Sequence, residues 1–302
     1  MDTAAALTKN QPKAMLLGAL AVLCWSTVAT AFKLSLAHLA PVQLLSIATA
    51  TSLFILLAVV AKRYSIRFVC EAWKAAPVQY ALLGAINPFL YYVILFNAYD
   101  LLPAQQAQPL NYSWALVLSL LAVPLLGQAL KRADIIALLV GFFGVIVIAT
   151  RGDVLALQFD SGKGVLLALS STVLWAVYWL YNARLKAPPE VSLLLCFIHG
   201  SPLVWGMMMF TTGLPNDWQG VTSAIYVGVF EMGITFLLWL GAMQLATHAS
   251  RVSNLIFLSP FLSLLLIHWI LGEDIVPATY IGLSLIIVAV IYQQVAAHRS
   301  AQ

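Results

Sequence analysis

Glu231 is the only carboxylate in this chain that falls near the middle of a long apolar stretch. In such surroundings a carboxylate can carry a proton, hold a substrate ammonium, or act as a neutral hydrogen-bond donor in a core. Thr235 and Trp239 follow it at steps of four, which predicts one polar stripe along a helix. His199 and His268 lie in similar stretches and are candidates for proton chemistry near neutrality, although a lone histidine serves as well for packing. Lys33 sits near the end of its stretch, where its stem lets the ammonium reach polar surroundings.

Aromatic and amide side chains form a second group. Asn87 and Tyr91 are four apart, with Tyr92 beside them; Gln108, Asn111, Tyr112 and Trp114 cluster early in the next stretch. Trp175, Tyr178, Trp179 and Asn182 share a helical face, and Trp25 lies deep in the first stretch. A buried indole N–H or phenol O–H needs a hydrogen-bond partner, and lipid offers none. Core packing explains any one of these residues. Together they predict an inward-facing cavity suited to a ligand with an aromatic or apolar body and a polar end. Motifs for other chemistry are absent: there is no H-E-x-x-H, no G-x-S-x-G, no P-loop and no Cys/His cluster. No enzyme activity, cofactor or metal is therefore expected. Without a mid-stretch Arg or Lys in the last two segments, a phosphorylated cargo is disfavoured.

The elements that must position these residues are plain from hydropathy. Ten apolar segments fill the chain, at about 14–34, 41–61, 75–98, 104–126, 132–150, 163–184, 190–212, 219–245, 252–271 and 276–296. Each is close to the roughly 20 residues a helix needs to cross a bilayer. The chain is 62% hydrophobic and 9% charged, against roughly 25% charged for soluble domains. Uninterrupted apolar runs without alternation exclude a β-barrel. Threading ten spans puts Lys9, Lys13, Lys62, Arg63, Arg67, Lys74, Lys131, Arg132, Arg184, Lys186, Arg251 and Arg299 on one side, leaving Lys33, Arg151 and Lys163 on the other. Basic loops stay cytoplasmic, so both termini are expected there. The net charge of +4 belongs to those loops and implies no nucleic-acid partner. No cleavable signal pattern is evident. Cys24 and Cys196 lie within segments and Cys70 in a loop, so no disulfide is expected.

The connection 151–162 divides the segments five and five. Leu126-Gly127-Gln128 and Leu271-Gly272-Glu273 close corresponding segments, and at the same offset Ala133, Ile136, Leu138 and Val145-Ile146 meet Ala278, Ile281, Leu283 and Val290-Ile291. Two repeats, 1–150 and 151–302, follow. Because each crosses five times, the second must be inverted, an architecture that places a substrate site at mid-membrane between the halves. Asn87-Pro88, Pro124, Ser201-Pro202 and Ser259-Pro260 are expected to interrupt their helices. Gly141 and Gly144 suit close helix packing.

Several of these runs carry a resemblance. The Leu-Cys-Trp25-Ser-Thr opening, the Leu-Gly-Gln and Leu-Gly-Glu segment ends and the run Leu258-Ser259-Pro260 resemble the EamA-type repeat of the ten-helix drug/metabolite transporter superfamily, over roughly 15–296. More narrowly, Trp25-Ser26-Thr27, Asn111-Tyr112-Ser113-Trp114 and Trp175-Ala176-Val177-Tyr178 are similar to aromatic amino-acid exporters of the YddG type; Thr235-Phe236 departs from their pattern. The resemblance implies a multi-pass protein of a bacterial inner membrane, exporting aromatic and other neutral amino acids or similar metabolites by alternating access. It implies that Trp25, Tyr112, Trp114 and Trp175 line a central cavity. The fold expected is an all-α membrane protein of ten transmembrane helices in two inverted five-helix repeats. Its expected partners are a small-molecule substrate and the lipid bilayer, with the protein a monomer or weak oligomer. The alternatives are a broader exporter of drugs or cationic compounds with Glu231 as counter-charge, or a membrane-embedded enzyme or scaffold.

Overall fold

The computed structural model describes residues 9–127, 132–155, 159–247, 252 and 254–299. Gln128, Lys131, Arg251 and residues 156–158 of the central connection, all used in the sequence argument, lie outside them. Helices account for nearly everything described. α1 (Gln11–Leu36), α2 (Pro41–Arg63), α4 (Pro77–Gly84) and α10 (Pro189–Thr211) all carry proline in their first turn, where its missing N–H would have been unpaired in any case. The short α3 (Ile66–Ala75) buries none of its residues; the sequence reading treated this stretch as loop. A π-helical turn, Ala85–Leu90, joins α4 to α5 (Tyr91–Leu101). α6 (Ala104–Tyr112), α7 (Trp114–Leu126) and α8 (Arg132–Ala149) complete the first half. α9 (Gly162–Asn182), α10, α11 (Trp218–Phe230) and α12 (Ile234–Leu245) follow. The described chain closes with a 3-10 turn, Asn254–Leu258, then α13 (Ser259–Leu271) and α14 (Pro277–Arg299).

Among the described residues, eight helical stretches are long and apolar enough to cross a membrane. The two expected spans missing from that set are interrupted. Between 104 and 126 the helix breaks at Ser113, whose amide and hydroxyl both donate to the Leu110 carbonyl, at 3.2 and 2.7 Å. Beyond 252, the 3-10 turn gives way to α13 at Ser259-Pro260, leaving a 13-residue helix. Asn87 is extended, at φ −136° and ψ 116°, as its position before proline favours. Two expected interruptions do not occur, since α10 runs through Pro202 and α7 through Pro124. Two breaks lie outside the expected set, the one at Ser113 and one in the eighth stretch. α11 stops at Phe230 and α12 starts at Ile234, so Glu231, Met232 and Gly233 form a turn inside the eighth stretch.

Setting α3 aside, the helices of the described residues fall into ten successive regions, with α4–α5, α6–α7, α11–α12 and the 3-10 turn plus α13 each counting as one. Their neighbours come in exchangeable pairs. α1 packs on α11 and α12 as α9 packs on α5; α1 packs on α13 as α9 packs on α6 and α7. α2 packs on α11 as α10 packs on α4; α2 meets α10, and α8 meets α14. Swapping each region with the one five places on reproduces these closest pairings. The α8–α14 contact is backbone-close: a methyl added at Gly144 would lie 2.6 Å from the Gly282 carbonyl oxygen, which is why a small residue is needed there.

Candidate functional site

Aromatic rings from four helices meet in the centre of the bundle. On α9, Trp175, Tyr178 and Trp179 are three and four residues apart and so emerge on one face. Trp175 stacks on Tyr178 at 5.7 Å between centroids and on Tyr91 of α5 at 4.5 Å, with interplanar angles of 22° and 26°. Trp179 meets the edge of Trp175 at 5.8 Å. The extended backbone at Asn87 redirects the chain just before α5. Tyr91 and Tyr92, which open α5, are both almost fully buried. Asn87 itself is buried, and its Oδ1 has no partner among the described residues. The Tyr91 hydroxyl donates to Asn111 Oδ1 at 3.5 Å, and Asn111 Nδ2 donates to Ser171 Oγ at 2.9 Å, tying α6 to α5 and α9. From the other side, Trp25 of α1 packs against Phe236 at 5.6 Å and Trp239 at 5.5 Å, both on α12. Phe236 bridges to Trp175 at 6.5 Å. Such pairs each contribute about 0.5–1.5 kcal/mol beyond area burial.

Glu231 borders this cluster at the turn between α11 and α12. Tyr92 donates its hydroxyl to Glu231 Oε1 at 3.1 Å, and the Trp25 indole N–H donates to the Glu231 carbonyl at 3.5 Å. The Thr235 hydroxyl donates to the Phe230 carbonyl at 2.5 Å. The broken helix therefore has its freed carbonyls satisfied by side chains, as a non-aqueous setting requires. The expected stripe Glu231–Thr235–Trp239 is corrected accordingly. The turn interrupts its helical register, and Thr235 serves the backbone while Trp239 joins Trp25.

Four of the expected site residues sit differently from the rest. Trp114 turns away from the Trp25–Trp175 cluster and, with Tyr112, lines a small recess of about 30 Å³ formed with Phe257, Ile286 and Val290. His199 is remote from Glu231: its Nδ1 donates to the Leu195 carbonyl at 2.8 Å and its Nε2 accepts from the Trp73 indole at 3.2 Å. A carbonyl only accepts and an indole only donates, so these partners fit a neutral imidazole. Lys33 donates to the carbonyls of Tyr99 and Leu102 at 2.8 and 3.2 Å, capping the C-terminus of α5 where a cation is favoured. It lines an open recess of about 580 Å³ with Asp100, Arg151, Glu273 and Asp274. Glu273 closes that recess's floor by accepting the Ala104 and Gln105 amides at 2.9 and 3.2 Å. Phe236 is the contributor that the residue pattern does not announce. Tyr92 was visible as a deep tyrosine; Phe236 became visible only once the turn at Glu231 brought it to Trp25.

Comparison with known proteins adds the following. The sequence profile of the EamA-like transporter family matches residues 12–150 and again 162–292. An uncharacterized transporter of Archaeoglobus fulgidus is 24% identical over 90% of this chain and 95% of its own length. The aromatic amino acid exporter YddG of Ancylobacter novellus is 27% identical over 76% of this chain and 79% of its own. The uncharacterized transporter YvbV of Bacillus subtilis is 26% identical over 93% and 92%. A crystal structure of a protein 23% identical superposes with a TM-score of 0.66 over 97% of this chain and 100% of that one, a likeness of fold.

Proposed function

The chain belongs to the EamA-like transporter family, and from that premise we propose that it exports aromatic and other neutral amino acids, or metabolites of similar shape, across a bacterial inner membrane. It is an all-α, multi-pass membrane transporter of small molecules with two EamA repeats, and not an enzyme. In this reading the ten helical regions are ten crossings, 1–150 and 151–302 are inverted halves, and both termini are cytoplasmic. Two features support it. The neighbour pairs exchange when the halves are swapped. Contacts between helix ends also join only ends that this threading puts on one side. Lys33 with Leu102, Gln43 with Gly213, His38 with Asp217 and Glu273 with Ala104 lie outside. Arg63 with Glu190, Arg184 with Leu125 and Asp134 with Gln293 lie inside.

The observation that carries the substrate assignment is the ring cluster of Tyr91, Trp175 and Tyr178 with Trp25, Phe236 and Trp239, to which the first half gives Trp25 and Tyr91 and the second half the other four. Aromatic faces reward an aromatic guest, and the loosest ring pair, Trp175 with Phe236, is flanked by two rings of the first half, Tyr91 on Trp175 and Trp25 on Phe236. A substrate ring inserted there takes contacts from both halves, with Asn87, Asn111 and Glu231 as polar groups around it. Rocking one half against the other then exposes the site in turn to each side, the recess beside Lys33 serving as outer vestibule. Counterflow of labelled phenylalanine into proteoliposomes preloaded with unlabelled phenylalanine tests this. Accumulation above that in protein-free vesicles is expected, and none would overturn the substrate assignment.

A further inference from the structure

Glu231 holds a carboxylate within a membrane-crossing stretch, yet among the described residues no Lys, Arg or His is paired with it. Tyr92 occupies Oε1 at 3.1 Å, and the second oxygen has no hydrogen-bond donor among the described residues. A desolvated carboxylate is tolerated when a positive charge or a proton compensates it. The groups gathered beside it suit one kind of cation. Trp25, bonded to the Glu231 carbonyl, stands against the rings of Phe236 and Trp239 at 5.6 and 5.5 Å. Ring faces attract organic ammonium groups through their quadrupoles, most strongly where water is excluded. A carboxylate held by a tyrosine on a residue that borders aromatic rings is poor at holding a hydrated metal ion and good at holding an amine attached to an apolar body.

We propose that Glu231, Tyr92, Trp25 and Trp239 form an ammonium-binding subsite, so that a ligand of the aromatic cluster must carry a protonated amine. The free Glu231 oxygen accepts one ammonium N–H, the rings face the remaining ones, and Tyr92 fixes the carboxylate's orientation. This rests on the reading of the cluster as the substrate site and adds to it a requirement for charge. The site admits amino-acid zwitterions and aromatic amines, and rejects the corresponding acids that lack an amine.

Calorimetric binding to the purified full-length protein, with three ligands of one ring size, tests it. Phenylalanine carries both charges, phenethylamine only the ammonium, and 3-phenylpropionate only the carboxylate. The wild type is expected to bind the first two and to bind 3-phenylpropionate about tenfold or more weakly, the order of one lost charge-assisted contact. Glu231→Gln keeps the Tyr92 hydrogen bond and should erase that preference, whereas Glu231→Asp, which keeps the charge, should retain part of it. Equal binding of phenylalanine and 3-phenylpropionate by the wild type, or an unchanged preference in Glu231→Gln, would overturn the subsite while leaving the amino-acid reading intact. Binding of phenethylamine without phenylalanine would support the subsite and overturn the amino-acid reading. Failure of all three to bind would overturn both.

Discussion

Asp217 precedes α11 and illustrates how single side chains set helix ends outside the membrane. Its Oδ1 accepts the amides of Gln219 and Gly220 at 2.9 and 3.3 Å, and its Oδ2 faces His38 Nδ1 at 3.0 Å. The Gly220 amide chiefly, with Gln219 and His38, holds the carboxyl below its ordinary range against the opposing effect of desolvation. A depressed native value means the stabilisation is present above the unfolded value and is lost as pH falls through the folded one. Asp217→Ala should therefore lower the thermal midpoint at neutral pH, and the gap to wild type should close on acidification; melting curves across that range read this directly. Residue chemistry was the most legible level of the sequence. A lone mid-span carboxylate and tryptophans at helical spacing announce themselves, and Glu231, Trp175 and Tyr178 all border the cluster. Trp114 and His199 were not legible because partners decide them. Trp114 follows a break that only the Ser113 backbone reveals, and His199 is held by Trp73, 126 positions away in sequence.

Helices in lipid gain little from hydrophobic burial against one another, so close backbone approach and packing must hold them together. α4 and α10 meet at Gly84 and Gly200, directly beside the Asn87 break: a methyl at Gly200 would collide with the Gly84 carbonyl and with Pro88. Gly200→Val should cost about 1–3 kcal/mol as an overpacked contact, seen as a lower unfolding midpoint in detergent. Gly206→Val, on the same helix with nothing within 4 Å of the added carbon, should leave the midpoint unchanged. At this scale the sequence is informative where proline forces the backbone and silent where it does not. Asn87 breaks as its neighbour Pro88 requires. Pro202 lies in an unbroken α10, where the Ser201 hydroxyl bonds the Phe197 carbonyl. The turn at Glu231–Gly233 has no proline to mark it, and Gly233, at φ −109° and ψ −100°, is too common a residue in membrane helices to reveal it.

For the molecule as a whole, charge and hydropathy foretold a multi-pass helical protein because lipid admits so few alternatives. Which regions touch was beyond the sequence, since apolar faces of similar composition carry no address. The side assignments can be read with one native thiol. Cys70 is exposed on α3, while Cys24 and Cys196 lie within α1 and α10. A membrane-impermeant maleimide applied to intact cells should leave Cys70 unmodified and react after permeabilisation. In a Cys70→Ser background, Leu155→Cys, at an almost fully exposed position, should react without permeabilisation. The reverse pattern would invert the topology.

The most direct test of the central claim, that the aromatic cluster between the halves is where the substrate sits, is phenylalanine counterflow by two tryptophan variants in parallel. Trp175 stacks on Tyr91 and Tyr178 in the cluster, whereas Trp218 is 76% exposed at the start of α11. Removing a stacking partner of the substrate should cost roughly 1–3 kcal/mol, about fivefold in transport at the least. Trp175→Ala, recovered as a monodisperse folded protein, is expected to lose at least that much of the wild-type rate, and Trp218→Ala to keep it. Equal rates in the two folded variants would contradict the account.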